Sequence, residues 1–124
     1  MPAVVMKSRS EEDRMTDIDA ILNERGQRYG KFLQHAQIAQ LLKNVMTGNF
    51  DVVEKMLQLP GAAGLSQALA EKWAILDSDM TESLEMQMHK VARILNGDPD
   101  YADSWDDIAG YAKLVGDRLK GDAK

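Results

Sequence analysis

The chain has 124 residues, room for one compact domain with a modest core. Fifteen Lys and Arg stand against 20 Asp and Glu, a net charge of −5, and 44% of the residues are hydrophobic but only 6% aromatic. The absence of Cys excludes a disulfide framework, a thiolate zinc site and a cysteine nucleophile. The acid excess argues against a general nucleic-acid binder, which needs a basic patch to displace counterions. No apolar run approaches the ~18 residues of a membrane span. Composition therefore implies a soluble, globular, cytoplasmic protein without membrane attachment.

The first fourteen residues, MPAVVMKSRSEEDR, lack the long apolar region and small-residue cleavage site of a signal peptide. They read as a flexible N-terminal extension over 1–14, and Met15 is placed to serve as an alternative start. Thr16-Asp17-Ile18-Asp19 reads as a helix start, with Thr16 as N-cap and acid in the first turn. Ile18, Ile21, Leu22 and Arg25 recur at helix spacing until Tyr29-Gly30 interrupts them. A second segment runs from about Lys31 to Met46 and closes at Thr47-Gly48-Asn49. Phe50 to Leu59 is a short apolar piece, ended by Pro60-Gly61-Ala62-Ala63-Gly64, the clearest loop in the chain. Further helices are expected over Leu65–Leu76, Met80–Leu95 and Pro99–Leu119, with Asn96-Gly97-Asp98-Pro99 as a break suited to left-handed φ. No stretch alternates as a strand does. The reading is an all-α bundle of four to five helices, a single helical domain over 15–120 with a tail at 121–124.

Projecting the last two helices at about 100° per residue separates their faces. Leu84, Met88, Val91 and Leu95 form one apolar stripe, with Glu82, His89 and Arg93 opposite and Glu85, Met86 and Lys90 flanking. On the final helix Trp105, Ile108, Ala109, Ala112, Val115 and Leu119 make the main apolar stripe. Asp103, Asp107, Gly110, Tyr111 and Leu114 lie together on the other side, where Leu and Tyr beside two carboxylates suggest partial burial. Two carboxylates four residues apart repel by roughly 0.2–0.5 kcal/mol, so a cation is expected beside them. Two arrangements supply it. Lys90 and Arg93 pair with Asp103 and Asp107 in an internal network, or Glu82, Glu85, Asp103 and Asp107 jointly hold Mg²⁺, a cation that favours hard oxygen ligands. In the second case Lys90 and Arg93 are free to hold a nucleotide's phosphates. Asp106 points elsewhere, toward Lys113 and Asp117.

The string His89-Lys90-Val91-Ala92-Arg93-Ile94-Leu95-Asn96-Gly97-Asp98-Pro99, followed by Tyr101-Ala102-Asp103-Ser104-Trp105 and Asp107-Ile108-Ala109-Gly110-Tyr111-Ala112, resembles a family of small phage and prophage proteins built on a domain of unknown function. Ile21 to Gly30 with Phe32 fits the opening segment of the same family, and the likeness covers most of 17–119. It implies a phage or prophage accessory protein in the cytoplasm of a bacterial host.

A second, fainter likeness is to the all-α nucleoside triphosphate pyrophosphohydrolases of the MazG type, with their EExxE and ExxD pairs. Here Glu82-x-x-Glu85 is followed by Asp103-x-x-Asp106 or Asp103-x-x-x-Asp107, and Thr81 departs from the leading glutamate. That likeness implies Mg²⁺ bridging carboxylates and a nucleotide's phosphates.

His35 and His89, without Cys, make a poor zinc pair. Arg25, Arg28, Tyr29, Lys31 and His35 form a basic-aromatic cluster that suits either phosphate contact or a solvated helix end. GAAG lacks the Lys of a phosphate loop, and no Ser-His-Asp arrangement is present. No catalytic residue is assigned. The favoured reading is a non-catalytic, homo-oligomeric helical binding module that engages a host or phage protein or sequesters a nucleotide. Mg²⁺-dependent pyrophosphohydrolysis is the alternative.

Overall fold

A computed structural model describes residues 10–122, the side chains of Met15 and Tyr29 excepted, and every regular element in it is a helix. In chain order these are α1 (Glu11–Tyr29), α2 (Phe32–Met46), α3 (Phe50–Gln58), α4 (Ala62–Ala74), α5 (Ser78–Asn96) and α6 (Ala102–Leu119). The all-α expectation holds, with six helices among the described residues instead of four to five. The difference is α3, a helix in its own right. Gly48 turns the chain at φ +75°, and the Asn49 carbonyl then accepts from the amides of Val52 and Val53 at 3.1 Å each.

Three helix starts differ from the sequence expectation by three residues or more, each for a local reason. Helix α1 begins five residues before Thr16, because the Ser10 hydroxyl accepts the Asp13 amide at 3.1 Å and Glu11, Glu12 and Asp13 fill the first turn. Of the extension read over 1–14, residues 1–9 lie outside the described residues, as do 123 and 124 of the tail. Helix α4 takes in part of the expected loop. Gly61, at φ +95°, makes the turn alone, and its carbonyl accepts the Leu65 amide at 3.0 Å, so Ala62 and Ala63 join the helix they favour.

Helix α6 starts at Ala102, three residues after Pro99. The Asp98 carboxylate accepts the Asp100 amide at 2.9 Å, and Trp105 Nε1 donates to the Pro99 carbonyl at 2.7 Å, closing a turn ahead of the helix. Gly97 does not adopt the left-handed φ expected of it, its φ being −136°. Space favours glycine there instead: a Cβ would stand 3.1 Å from the Arg93 carbonyl oxygen, a tight contact.

The chain divides into two compact units, one up to Leu65 and one from Ser66, with the boundary inside α4. The single domain read over 15–120 spans both. In the first unit α2 packs on α3 and touches α1. Its tightest feature is the α2–α3 turn, where Asn44 Nδ2 donates to the Gln40 carbonyl at 2.7 Å and Asn49 Nδ2 reaches the Thr47 hydroxyl at 3.2 Å. In the second unit α5 and α6 form a closely packed antiparallel hairpin.

No hydrophobic side chain among the described residues is fully buried. No described helix is long and apolar enough to cross a membrane.

Candidate functional site

The α5–α6 hairpin carries most of the residues singled out in the sequence. On α5 the residues that lose most solvent contact are Met80, Ser83, Gln87, Lys90 and Ile94, spaced alternately three and four apart. On α6 the residues in the same row are Ser104, Ile108, Tyr111 and Val115, and Asp117 is buried beside them. That spacing is the seam of a two-helix coiled coil, in which one row of each helix faces the other. Half of this seam is polar, and its polar groups are answered inside it. The Ser83 hydroxyl donates to the Tyr111 carbonyl at 2.8 Å, and Gln87 Nε2 donates to the Ser83 hydroxyl at 3.1 Å.

Lys90 stands in the half of the seam nearer the loop. Its aliphatic stem packs between the helices and its Nζ lies 2.9 Å from Asp107 Oδ2. The Lys90 side chain is 11% exposed and that of Asp107 41%. The residue read as flanking a polar outer face is therefore buried, and it meets one of the two carboxylates that called for a cation. Asp103 accepts only a long hydrogen bond from the Tyr101 hydroxyl, at 3.5 Å. Arg93 is exposed, as are Glu82, Glu85 and His89. Among the described residues no three carboxylate or imidazole groups stand close enough to hold one metal ion together. The structure thus brings Lys90 and Asp107 together and leaves Glu82, Glu85, Asp103 and Arg93 outside that contact.

Beside the pair, an open groove of about 480 Å³ runs along α6, lined by Asp107, Gly110, Tyr111 and Leu114 with Asp106, Lys113 and Asp117 at its edge. Lys113 Nζ bonds both oxygens of Asp117, at 3.0 and 2.9 Å, one helical turn apart. Lys113 thus supplies a cation to Asp117 from within α6.

Sequence reasoning missed the contact that closes the open end of the hairpin. The Arg118 guanidinium spans the first turn of α5: one terminal nitrogen donates to Asp79 Oδ1 at 2.8 Å and to Asp77 Oδ2 at 2.9 Å, while Nε donates to Asp79 Oδ2. The hydrogen bond from Arg118 holds the Asp79 carboxyl below its usual range. Hydrogen bonds to Asp79 and then Asp77 raise the guanidinium's own pKa. Asp77-Ser78-Asp79 reads in the sequence as a breaker or cap, and nothing in the local sequence sets Arg118 apart. Only the antiparallel return of α6, some forty residues on, brings them together.

The apolar stripes expected to be buried are buried only in part: Val91, Ile108 and Val115 are half-buried, and the larger side chains are exposed. Leu84, Met88 and Leu95 on α5 and Trp105 and Leu119 on α6 all keep two-fifths or more of their surface in solvent. Leu114, read as part of a half-buried face, is also exposed. In the first unit the same holds for Ile18, Ile21 and Leu22 of α1 and for Phe32, Leu33 and Leu42 of α2. His35 is exposed and lines, with Leu22, Arg25, Gly26, Gly30 and Phe32, a recess of about 430 Å³ at the α1–α2 elbow.

Neither a curated protein nor a solved structure matches the chain. A family model described as a domain of unknown function, DUF6378, matches residues 13–119, nearly the whole length. The chain belongs to the DUF6378 family.

Proposed function

We propose that the chain is a phage or prophage accessory protein that works as a non-catalytic helical binding module, engaging a phage or host protein. The observation that carries this reading is the exposure of large apolar side chains on α1, α2, α5 and α6, with none fully buried among the described residues. Apolar surface exposed within each unit in this way is a mark of protein–protein contact. The Lys90–Asp107 pair supports the same reading, because it answers within the hairpin a carboxylate that a metal site would require. The phage assignment rests on the likeness of the KVARILNGDPDYADSW and DIAGYA strings.

Mg²⁺-dependent pyrophosphohydrolysis is a second reading, favoured by one observation. Asp107 keeps part of its side chain exposed and lines the groove with Tyr111 and Leu114, where a nucleotide would have to sit. The carboxylates as placed do not form a joint ligand set for Mg²⁺.

The experiment that separates the readings incubates the protein with a panel of NTPs and dNTPs, with Mg²⁺ or with EDTA, and measures pyrophosphate release. The binding-module reading expects no release from any nucleotide. Mg²⁺-dependent release that Asp107→Asn abolishes would overturn it.

A further inference from the structure

The α5–α6 hairpin has an apolar face whose shape complements itself. Helices step about 100° per residue, so the Leu84–Met88–Val91–Leu95 stripe lies roughly a quarter turn past the seam on α5. The Trp105–Ala109–Ala112–Gly116–Leu119 stripe lies about as far past the seam on α6, in the same rotational sense. Because the two helices run antiparallel, equal rotations bring both stripes to one side of the hairpin. The α5 stripe is a ridge of large side chains. The α6 stripe is a trough of Ala109, Ala112 and Gly116, closed at its ends by Trp105 and Leu119.

We propose that a second copy of this chain covers that face, so that two hairpins pair about a two-fold axis parallel to the helices and form a four-helix bundle. This rests on part of the exposed surface that carries the binding-module reading, the face of α5 and α6, and goes beyond it by naming a second copy as the occupant. The rotation sets each α5 ridge into the partner's α6 trough, with Met88 against the partner's Ala109 and Leu95 beside the partner's Trp105. Every helix then has antiparallel neighbours, the arrangement of an up-down bundle. An axis across the helices would instead stack ridge on ridge and trough on trough.

Two further facts favour a second copy as the occupant. A hairpin of this size has no core of its own, and chains of about 40 residues need disulfides, metals or association to hold together. This one has no Cys, and its seam is half polar. The second fact is area. Leu84, Met88, Leu95, Trp105 and Leu119 are 42%, 55%, 62%, 53% and 60% exposed. With the trough between them they present on the order of 500 Å² per copy. Two copies together reach about 1,000 Å², where specific interfaces begin.

The test is the mass of the full-length chain in solution at micromolar concentration, by size-exclusion chromatography with light scattering. The expected result is twice 13.8 kDa, with Met88→Glu shifting the protein to the single mass while its circular dichroism stays helical. Cysteine cross-linking provides a second readout that does not depend on a disruptive charge. With no native Cys to interfere, a mixture of Met88→Cys and Ala109→Cys chains is expected to join through a short bis-maleimide, more readily than either variant alone. A single-mass wild type overturns the proposal, as does a dimer in which Met88→Glu changes nothing and the mixed cross-link fails to form. Nucleotide turnover plays no part in these readouts, so this proposal and the binding-module reading can fail separately.

Discussion

Lys90 Nζ lies 2.9 Å from Asp107 Oδ2, and the two partners differ in exposure: the ammonium is nearly buried in the α5–α6 seam, the carboxylate close to half exposed. The asymmetry determines which partner can be lost. Asp107→Asn leaves an ammonium between the helices without a counter-charge, an expected cost of about 1–3 kcal/mol. Lys90→Met keeps the stem's packing and releases Asp107 to solvent, so a change within about 1 kcal/mol is expected. Urea denaturation of the two variants checks the order. Equal losses would mean that the pair acts as a surface contact only.

The Arg118 clasp makes hairpin stability depend on pH. Asp79 titrates below its ordinary value in the folded chain because Arg118 hydrogen-bonds its carboxylate. Its stabilising contribution is therefore fully present above the unfolded carboxylate's pKa and is lost as pH falls through the lower, folded value. Wild type is expected to be more stable than Asp79→Asn at pH 7, with the gap closing as the pH drops below about 4. Urea midpoints measured from pH 7 to pH 3 check this. A gap that stays constant through that range would remove Asp79 from the linkage.

The indole of Trp105 ties the start of α6 to the turn before it, through the 2.7 Å bond to the Pro99 carbonyl. Trp105→Phe keeps a ring but removes the donor, and a loss of about 0.5–1.5 kcal/mol is expected. Amide hydrogen exchange at residues 102–105 should quicken while the middle of α6 stays protected. Unchanged exchange would show that the helix start does not depend on the indole.

Gly97 is favoured by space. A Cβ would stand 3.1 Å from the Arg93 carbonyl oxygen, a tight contact that the last turn of α5 must relieve by a few tenths of an ångström. Gly97→Ala is expected to cost about 1 kcal/mol or more by unwinding the last turn of α5. A thermal melt reads this directly. A melting temperature equal to wild type would show that the turn absorbs the methyl group freely.

The helices were legible because their signals are local. The apolar period over Phe32–Met46 and the breaks at Gly48, Gly61 and Gly97 mark elements whatever surrounds them. The faces were not, because a wheel drawn on one helix cannot say which side a neighbour takes. Leu84, Met88 and Leu95 look like a core, yet the row that meets α6 is Ser83, Gln87 and Lys90. Gln87 bonds Ser83 within α5, but Ser83 and Lys90 find their partners in the backbone of Tyr111 and the carboxylate of Asp107, which come from another helix. Asp107 was identifiable as a carboxylate in need of a cation, and Lys90 as one of two candidates to supply it. The clasp of Arg118 on Asp77 and Asp79 was hidden for the same reason, since its partners meet only after the chain has turned back.

That turn is short. Five residues, 97–101, separate the last residue of α5 from the first of α6. Closing so small a loop takes well under a microsecond in an unfolded chain, and contacts between neighbouring helices carry a low entropic penalty. The loop is therefore placed to close early, within a single chain and ahead of any pairing between two chains.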